Sequence, residues 1–121
     1  MVNFPTFGFM EPTRELTFGE KAVGLTFNPG GMPEVNAIKT ACAVVIDELN
    51  NQRQATFRKA EEDKKVIWPE THSSVPKSDE ISAQLRAIDT SAGEKAAQFT
   101  LAIRKIQEGQ MWGVKAATWQ Y

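Results

Sequence analysis

Residues 33–65 read PEVNAIKTACAVVIDELNNQRQATFRKAEEDKK, and this run decides the fold. Pro33 suits the first position of a helix, where its missing N–H is no loss, and Asn28-Pro29-Gly30-Gly31 before it is a turn. Val35, Ile38, Cys42, Val45 and Leu49 recur at alternating steps of three and four, which predicts one apolar helical seam. Ala37, Ala41, Val44 and Ile46 widen it. Past Asn50-Asn51 the seam thins, but Ala55, Phe57 and Ala60 among charged neighbours carry the helix to about Lys65, short of Pro69. A long helix over 33–65 follows.

Downstream, 66–77 holds Trp68-Pro69, Thr71, Ser73, Ser74 and Pro76 and reads as a connecting loop. Ser78 can cap a second helical region over 78–119, with Ile81, Leu85 and Ile88 on one face. Ser91-x-x-Glu94 has capping-box spacing, which predicts a break and restart near Thr90. Phe99, Ile103, Ile106, Gln110, Gly113 and Ala117 then continue a seam to the C-terminus. Upstream, 1–32 is an irregular arm rich in Pro, Gly and Phe. Within it, Thr17-Phe18-Gly19-Glu20 predicts a short helix running to about Val23 and stopping at Gly24. Phe4, Phe7 and Phe9 stay ordered only by burying their rings on the helices or a partner subunit, because fixing backbone costs ~1–2 kcal/mol per residue.

The expected fold is therefore all-α, an antiparallel helical hairpin within a single domain over 1–121. Such a hairpin buries one stripe of each helix. The last helix adds Met111, Trp112, Val114 and Trp119 around its whole circumference, with small Gly109, Gly113, Ala116 and Ala117 between them. A helix apolar all round is usually buried all round, so a compact homo-oligomer is expected.

Composition narrows the function. Of 121 residues, 14 are Lys or Arg and 15 Asp or Glu, a net charge of -1 that gives no global field for holding long nucleic acid. The longest apolar stretch, Ala41 to Ile46, is far short of the ~20 residues a bilayer requires, and residues 1–10 lack a basic region followed by an apolar one, so neither a span nor a secretory signal is expected. The one cysteine, Cys42, sits in the helical pattern and reads as a small core residue, in keeping with a reducing cytoplasm. His72 is the only histidine and lies in the loop, so neither a metal site nor a nucleophilic triad has its parts. Glu61-Glu62-Asp63 beside Lys64-Lys65 reads as a solvated helix face, and no phosphate-binding glycine motif occurs. Neither an enzyme nor a cofactor is expected.

Cations beside aromatics remain. From Lys95 onward, Lys95, Arg104, Lys105 and Lys115 stand against Glu108 alone. Bases stack on rings and phosphates take charge-assisted bonds from Lys or Arg, so Arg104, Trp112 and Lys115 are candidates for a small anionic ligand; core indoles and surface cations are the alternative reading. Asn36 and Lys39 share a face one turn apart near the positive end of the long helix. Lys21 joins them if the 28–31 turn folds the short helix back.

Two blocks also carry a family likeness. Gly19-Glu20-Lys21-Ala22-Val23-Gly24, Phe27-Asn28-Pro29-Gly30 and Val35 to Asp47 form one, and Gln110-Met111-Trp112-Gly113-Val114-Lys115-Ala116-Ala117-Thr118-Trp119 the other. Over roughly Thr17–Asn50 and Thr100–Trp119 the chain resembles the phage anti-CBASS sponges, relatives of the Thoeris anti-defence sponges. The resemblance implies an all-helical hairpin protomer assembled as a homohexamer in the cytoplasm of an infected bacterium. It implies sequestration of intact cyclic di- and trinucleotide signals, such as cyclic GMP-AMP and cyclic tri-AMP, in two classes of pocket between protomers. For the dinucleotide pocket it implies a Lys, best matched by Lys39 with Asn36 as the fallback, and an aromatic stacker, Phe27 or Phe18. For the trinucleotide pocket it implies an Arg before Met111, where Ala97 or Gln98 stands with Arg104 nearby. Family members are shorter, so part of 55–92 reads as an insertion. The rival expectations are a sponge for a cyclic ADP-ribose signal and a helical adaptor with no nucleotide ligand.

Overall fold

The computed structural model describes residues 14–69 and 78–120. The arm with Phe4, Phe7 and Phe9, and the loop with His72, lie outside the described residues. Those that are described form three helices and no strand: α1 (Phe18–Val23), α2 (Pro33–Ile67) and α3 (Asp79–Ala117). Among them no helix is long and apolar enough to cross a membrane.

α1 starts as its spacing predicts. The Thr17 hydroxyl accepts the Glu20 N–H at 3.1 Å, and the Glu20 carboxylate accepts the Thr17 N–H at 2.9 Å, so two donors that the first turn leaves over are satisfied reciprocally. It ends at Gly24, whose φ of 63° is left-handed. α2 begins at Pro33 and runs to Ile67, two residues beyond the expected end. Trp68 N–H still donates to the Lys64 carbonyl at 2.8 Å, and the helix stops only where Pro69 has no N–H to offer.

The Ser78 hydroxyl accepts the Ile81 N–H at 3.3 Å and opens α3. The expected break near Thr90 is absent, and α3 is continuous through it. Ala87, Ala92, Ala96 and Ala97 favour helix, no proline interrupts them, and buried Ala92 and Ala96 share one face only while the helix holds its period. The capping-box spacing at Ser91 goes unused.

Residues 14–50 and 102–120 form one unit, and 51–69 with 78–101 a second. In the first, Val23, Ala43, Ile46 and Ile103 make the core, with Ala22, Leu25, Cys42, Leu49 and Ile106 packed against it. Most of the expected α2 seam faces inward, with Val35 and Ile46 buried and Ile38, Cys42 and Leu49 half-buried, but its edge is shifted toward Lys39 and Ala43. Val35, Lys39, Ala43 and Ile46 are buried, whereas Val45 is 45% exposed and Val44 64%. The cause is α1, which lies over the Ala43 face. Gly19 sits so close that a Cβ there would fall on the Ala43 carbonyl oxygen.

In the second unit, Thr56 and Ala60 of α2 and Ala92 and Ala96 of α3 are buried. Arg53 donates to the Thr100 hydroxyl at 2.8 Å, and the Lys64 ammonium lies 2.6 Å from Glu61 and 2.9 Å from Asp89. Lys64 between two carboxylates is held above the usual lysine range, Glu61 being the larger influence.

The expectation that the last helix is buried all round does not hold within one chain. Met111, Trp112 and Trp119 are each more than 60% exposed, and Phe27, Phe57, Val66 and Leu101 are half exposed or more.

Candidate ligand-binding site

Two places bring expected site residues together. The first is where α1 turns back to α2. Asn28 closes the turn, its side chain donating to the Met32 carbonyl at 3.0 Å and accepting the Met32 N–H at 3.2 Å, while Gly31 takes a φ of 62°. Such a bracket is the Asx chemistry that suits Asn to turns, and the left-handed position favours Gly.

Lys39 lies under this turn, 6% exposed. Its ammonium donates to the Gly24 carbonyl at 2.9 Å and the Phe27 carbonyl at 2.6 Å, and sits 5.5 Å from the centre of the Phe27 ring. Lys39 and Phe27 therefore do meet, but two of three ammonium protons serve the chain's own backbone. The arrangement is a lysine clamp on two carbonyls of the turn that follows α1, of which the Gly24 carbonyl also accepts the Phe27 N–H at 2.9 Å.

The same logic fixes the rest of α1. Asp47 accepts the Gly19 N–H at 2.7 Å, so the helix's own start already holds a carboxylate. Gln107 of α3 donates to the Ala22 carbonyl at 3.1 Å. Arg14 donates to both Glu20 oxygens at 3.1 and 3.0 Å and, with the Thr17 backbone, holds that carboxyl below the ordinary glutamate range. Asn36, Lys21 and Phe18 are exposed, and the structure joins none of them to the Lys39 ammonium. Gln110 is 6% exposed, and its Oε1 has no hydrogen-bond partner among the described residues.

The second place is the end of α3. Trp112, Lys115, Ala116 and Trp119 line an open groove of about 540 Å³. They stand at i, i+3, i+4 and i+7, one stripe of a helix, so the chain's period puts two indoles at either end of a small alanine floor. The Lys115 ammonium lies 5.0 Å from the Trp112 ring centre. Trp119 follows the helix end, held where its N–H donates to the Ala116 carbonyl at 3.1 Å.

The groove joins apolar faces to a positive charge. Flat apolar faces alone would also welcome cations, but Lys115 already stands over one ring and repels them. A planar ring carrying an adjacent anion suits both surfaces. Arg104 is exposed eight residues earlier on α3, roughly 12 Å along the helix axis, and does not line the groove. Of the eight expected site residues, Trp112 and Lys115 share one place, Lys39 and Phe27 another, and Asn36, Lys21, Phe18 and Arg104 neither. Ala116 and Trp119 were legible from the i+4 and i+7 spacing, whereas the attachment of Asp47 to Gly19 had no local signal. Among the described residues no three His, Cys, Asp or Glu side chains group to hold a metal ion.

No protein-family model, curated protein or solved structure matches the chain.

Proposed function

We propose that the protein binds and sequesters cyclic oligonucleotide second messengers intact, in the manner of the anti-CBASS sponges it resembles, and so keeps them from bacterial immune effectors. The observation that carries this reading is the groove of Trp112, Lys115, Ala116 and Trp119. Stacking on an exposed ring is worth about 1–3 kcal/mol per base, and a lysine at the rim adds a charge-assisted bond to phosphate. A cyclic di- or trinucleotide presents bases and phosphates at short, fixed spacing and can use both.

The protomer in this reading is an antiparallel hairpin of α2 and α3, supported by the Arg53–Thr100 and Lys64–Asp89 contacts. It works as a homo-oligomer, a hexamer by the resemblance, in the cytoplasm of the infected host. Val44 and Met111, both more than 60% exposed and neither lining the groove, are apolar groups that assembly would cover. Lys39 acts on the ligand only through the turn it holds, while Trp112 and Lys115 touch it.

The test mixes purified protein with a panel of cyclic di- and trinucleotides and cyclic ADP-ribose isomers, measures free ligand after filtration, and heats the retained fraction. Depletion of a cyclic oligonucleotide followed by recovery of the same intact compound supports the proposal. Depletion of cyclic ADP-ribose alone would move the protein to the other signal class, altered product would make it an enzyme, and no depletion at all would leave an adaptor.

A further inference from the structure

We infer that the cleft between α2 and α3 in the second unit is a separate binding site, for a small organic anion with a compact apolar body. The cleft measures about 570 Å³, within the ~300–1,000 Å³ usual for small-ligand sites. It is built from 51–101, almost all of it between the two blocks that carry the family likeness, and the proposed nucleotide groove shares none of its residues.

Thr56, Ala60 and Ala92 form its buried floor. Side chains this short leave a trough where longer ones would close the space. The Thr56 hydroxyl is turned to the Gln52 carbonyl at 2.9 Å, so the floor offers mostly methyl surface.

Charge stands at the rim. Arg53 pairs with Thr100 and Lys64 with Asp89, which places Lys59 and Lys95 at the same level on opposite walls. Lys59 is 3.2 Å from Asp63. Lys95 has no ion-pair partner among the described residues, so one carboxylate faces two ammonium groups. Like charges at one level of a cleft repel, and a phosphate or carboxylate held between them removes that repulsion. The floor then favours an anion that brings its own apolar body over a bare inorganic ion. Exposed ammonium groups bind weakly one at a time, so the two lysines must act together for useful affinity.

The experiment uses the full-length protein with its lysines reductively methylated with carbon-13, which keeps their charge, and follows the methyl signals by NMR during titration. The probes are n-butyl phosphate, butyrate and inorganic phosphate. Having no ring, they have little to gain in the indole groove. Signals of Lys59 and Lys95, assigned through single Lys→Arg variants, should move together with one affinity while Lys105 and Lys115 stay still. A stronger response to butyl phosphate identifies a phosphate head, a stronger one to butyrate a carboxylate head, and either supports the site. Lys95→Gln should weaken binding about tenfold and leave cyclic-oligonucleotide depletion unchanged. The site is refuted if all lysines respond alike, if inorganic phosphate matches butyl phosphate, or if Lys95→Gln binds as the parent does.

Discussion

Replacing Lys39 with Met removes the ammonium that ties the end of α1 and its following turn to α2, and keeps most of the stem. The two bonds at 2.9 and 2.6 Å each come from a charged donor, a class worth about 1.5–3 kcal/mol. They do not count equally. Phe27 is 71% exposed, so water can take over its carbonyl, whereas Gly24 is half-buried and its carbonyl would lose its lysine donor. Met also escapes the cost of holding a charge at 6% exposure, which offsets part of the loss. The net destabilisation should be about 2 kcal/mol, a large share of the ~5–15 kcal/mol of a typical domain. Urea unfolding followed by circular dichroism reads it as a midpoint lower by roughly 1 M at unchanged slope. Parent and variant must be compared at equal protein concentration, because assembly adds to apparent stability. Amide exchange should quicken first at Gly24–Asn28. A midpoint within about 0.2 M of the parent would show that the ammonium is not holding the turn, and would return Lys39 to the candidates for direct ligand contact.

Three other outcomes follow from the same geometry. Gly19→Ala should cost about 1–3 kcal/mol, since its Cβ meets the Ala43 backbone rather than a side chain that can swing away; a melting temperature equal to the parent's would mean that α1 does not lie on Ala43. Glu20 is held below its ordinary value of 4.5 by Arg14, so the stability it contributes is complete above that value and is lost as pH falls through the lower folded-state value. Amide protection in α1 should fall in that acid range, and Glu20→Gln should flatten the dependence. Trp112→Ala should weaken cyclic-oligonucleotide retention about tenfold or more, the worth of one stacked base, without changing the oligomer measured by light scattering; unaltered retention would move the ligand away from the groove.

The helices are largely legible in the chain because their causes are local. A Thr three residues before a Glu, a Pro able only to begin a helix, a Gly free to turn left-handed and a Ser at an N-cap each act within one turn. The errors arose where local signals competed with packing. Ser91 and Glu94 have the spacing of a cap, yet buried Ala92 and Ala96 on one face require an unbroken helix. The pairing of Trp112 with Lys115 was legible for the same reason as the helices, since three residues make one turn.

What lay beyond local reading is the place of α1. Apolar periodicity gives α2 a seam through Val35, Ile38, Cys42, Val45 and Leu49, but the valines and alanines that widen it allow several rotations, and hydrophobicity alone does not choose among them. The choice fell to polar contacts between residues far apart in sequence: Gly19 with Asp47, Gln107 with Ala22, and Lys39 with Gly24 and Phe27. The same contacts put the Lys39 ammonium on the chain's own backbone. Helix type and most helix ends are set by neighbours one turn apart, which any stretch of the chain carries with it. The buried face of α2 and the work of Lys39 depend on the Gly24 and Phe27 carbonyls and a close glycine contact that meet α2 only once α1 has come down on it.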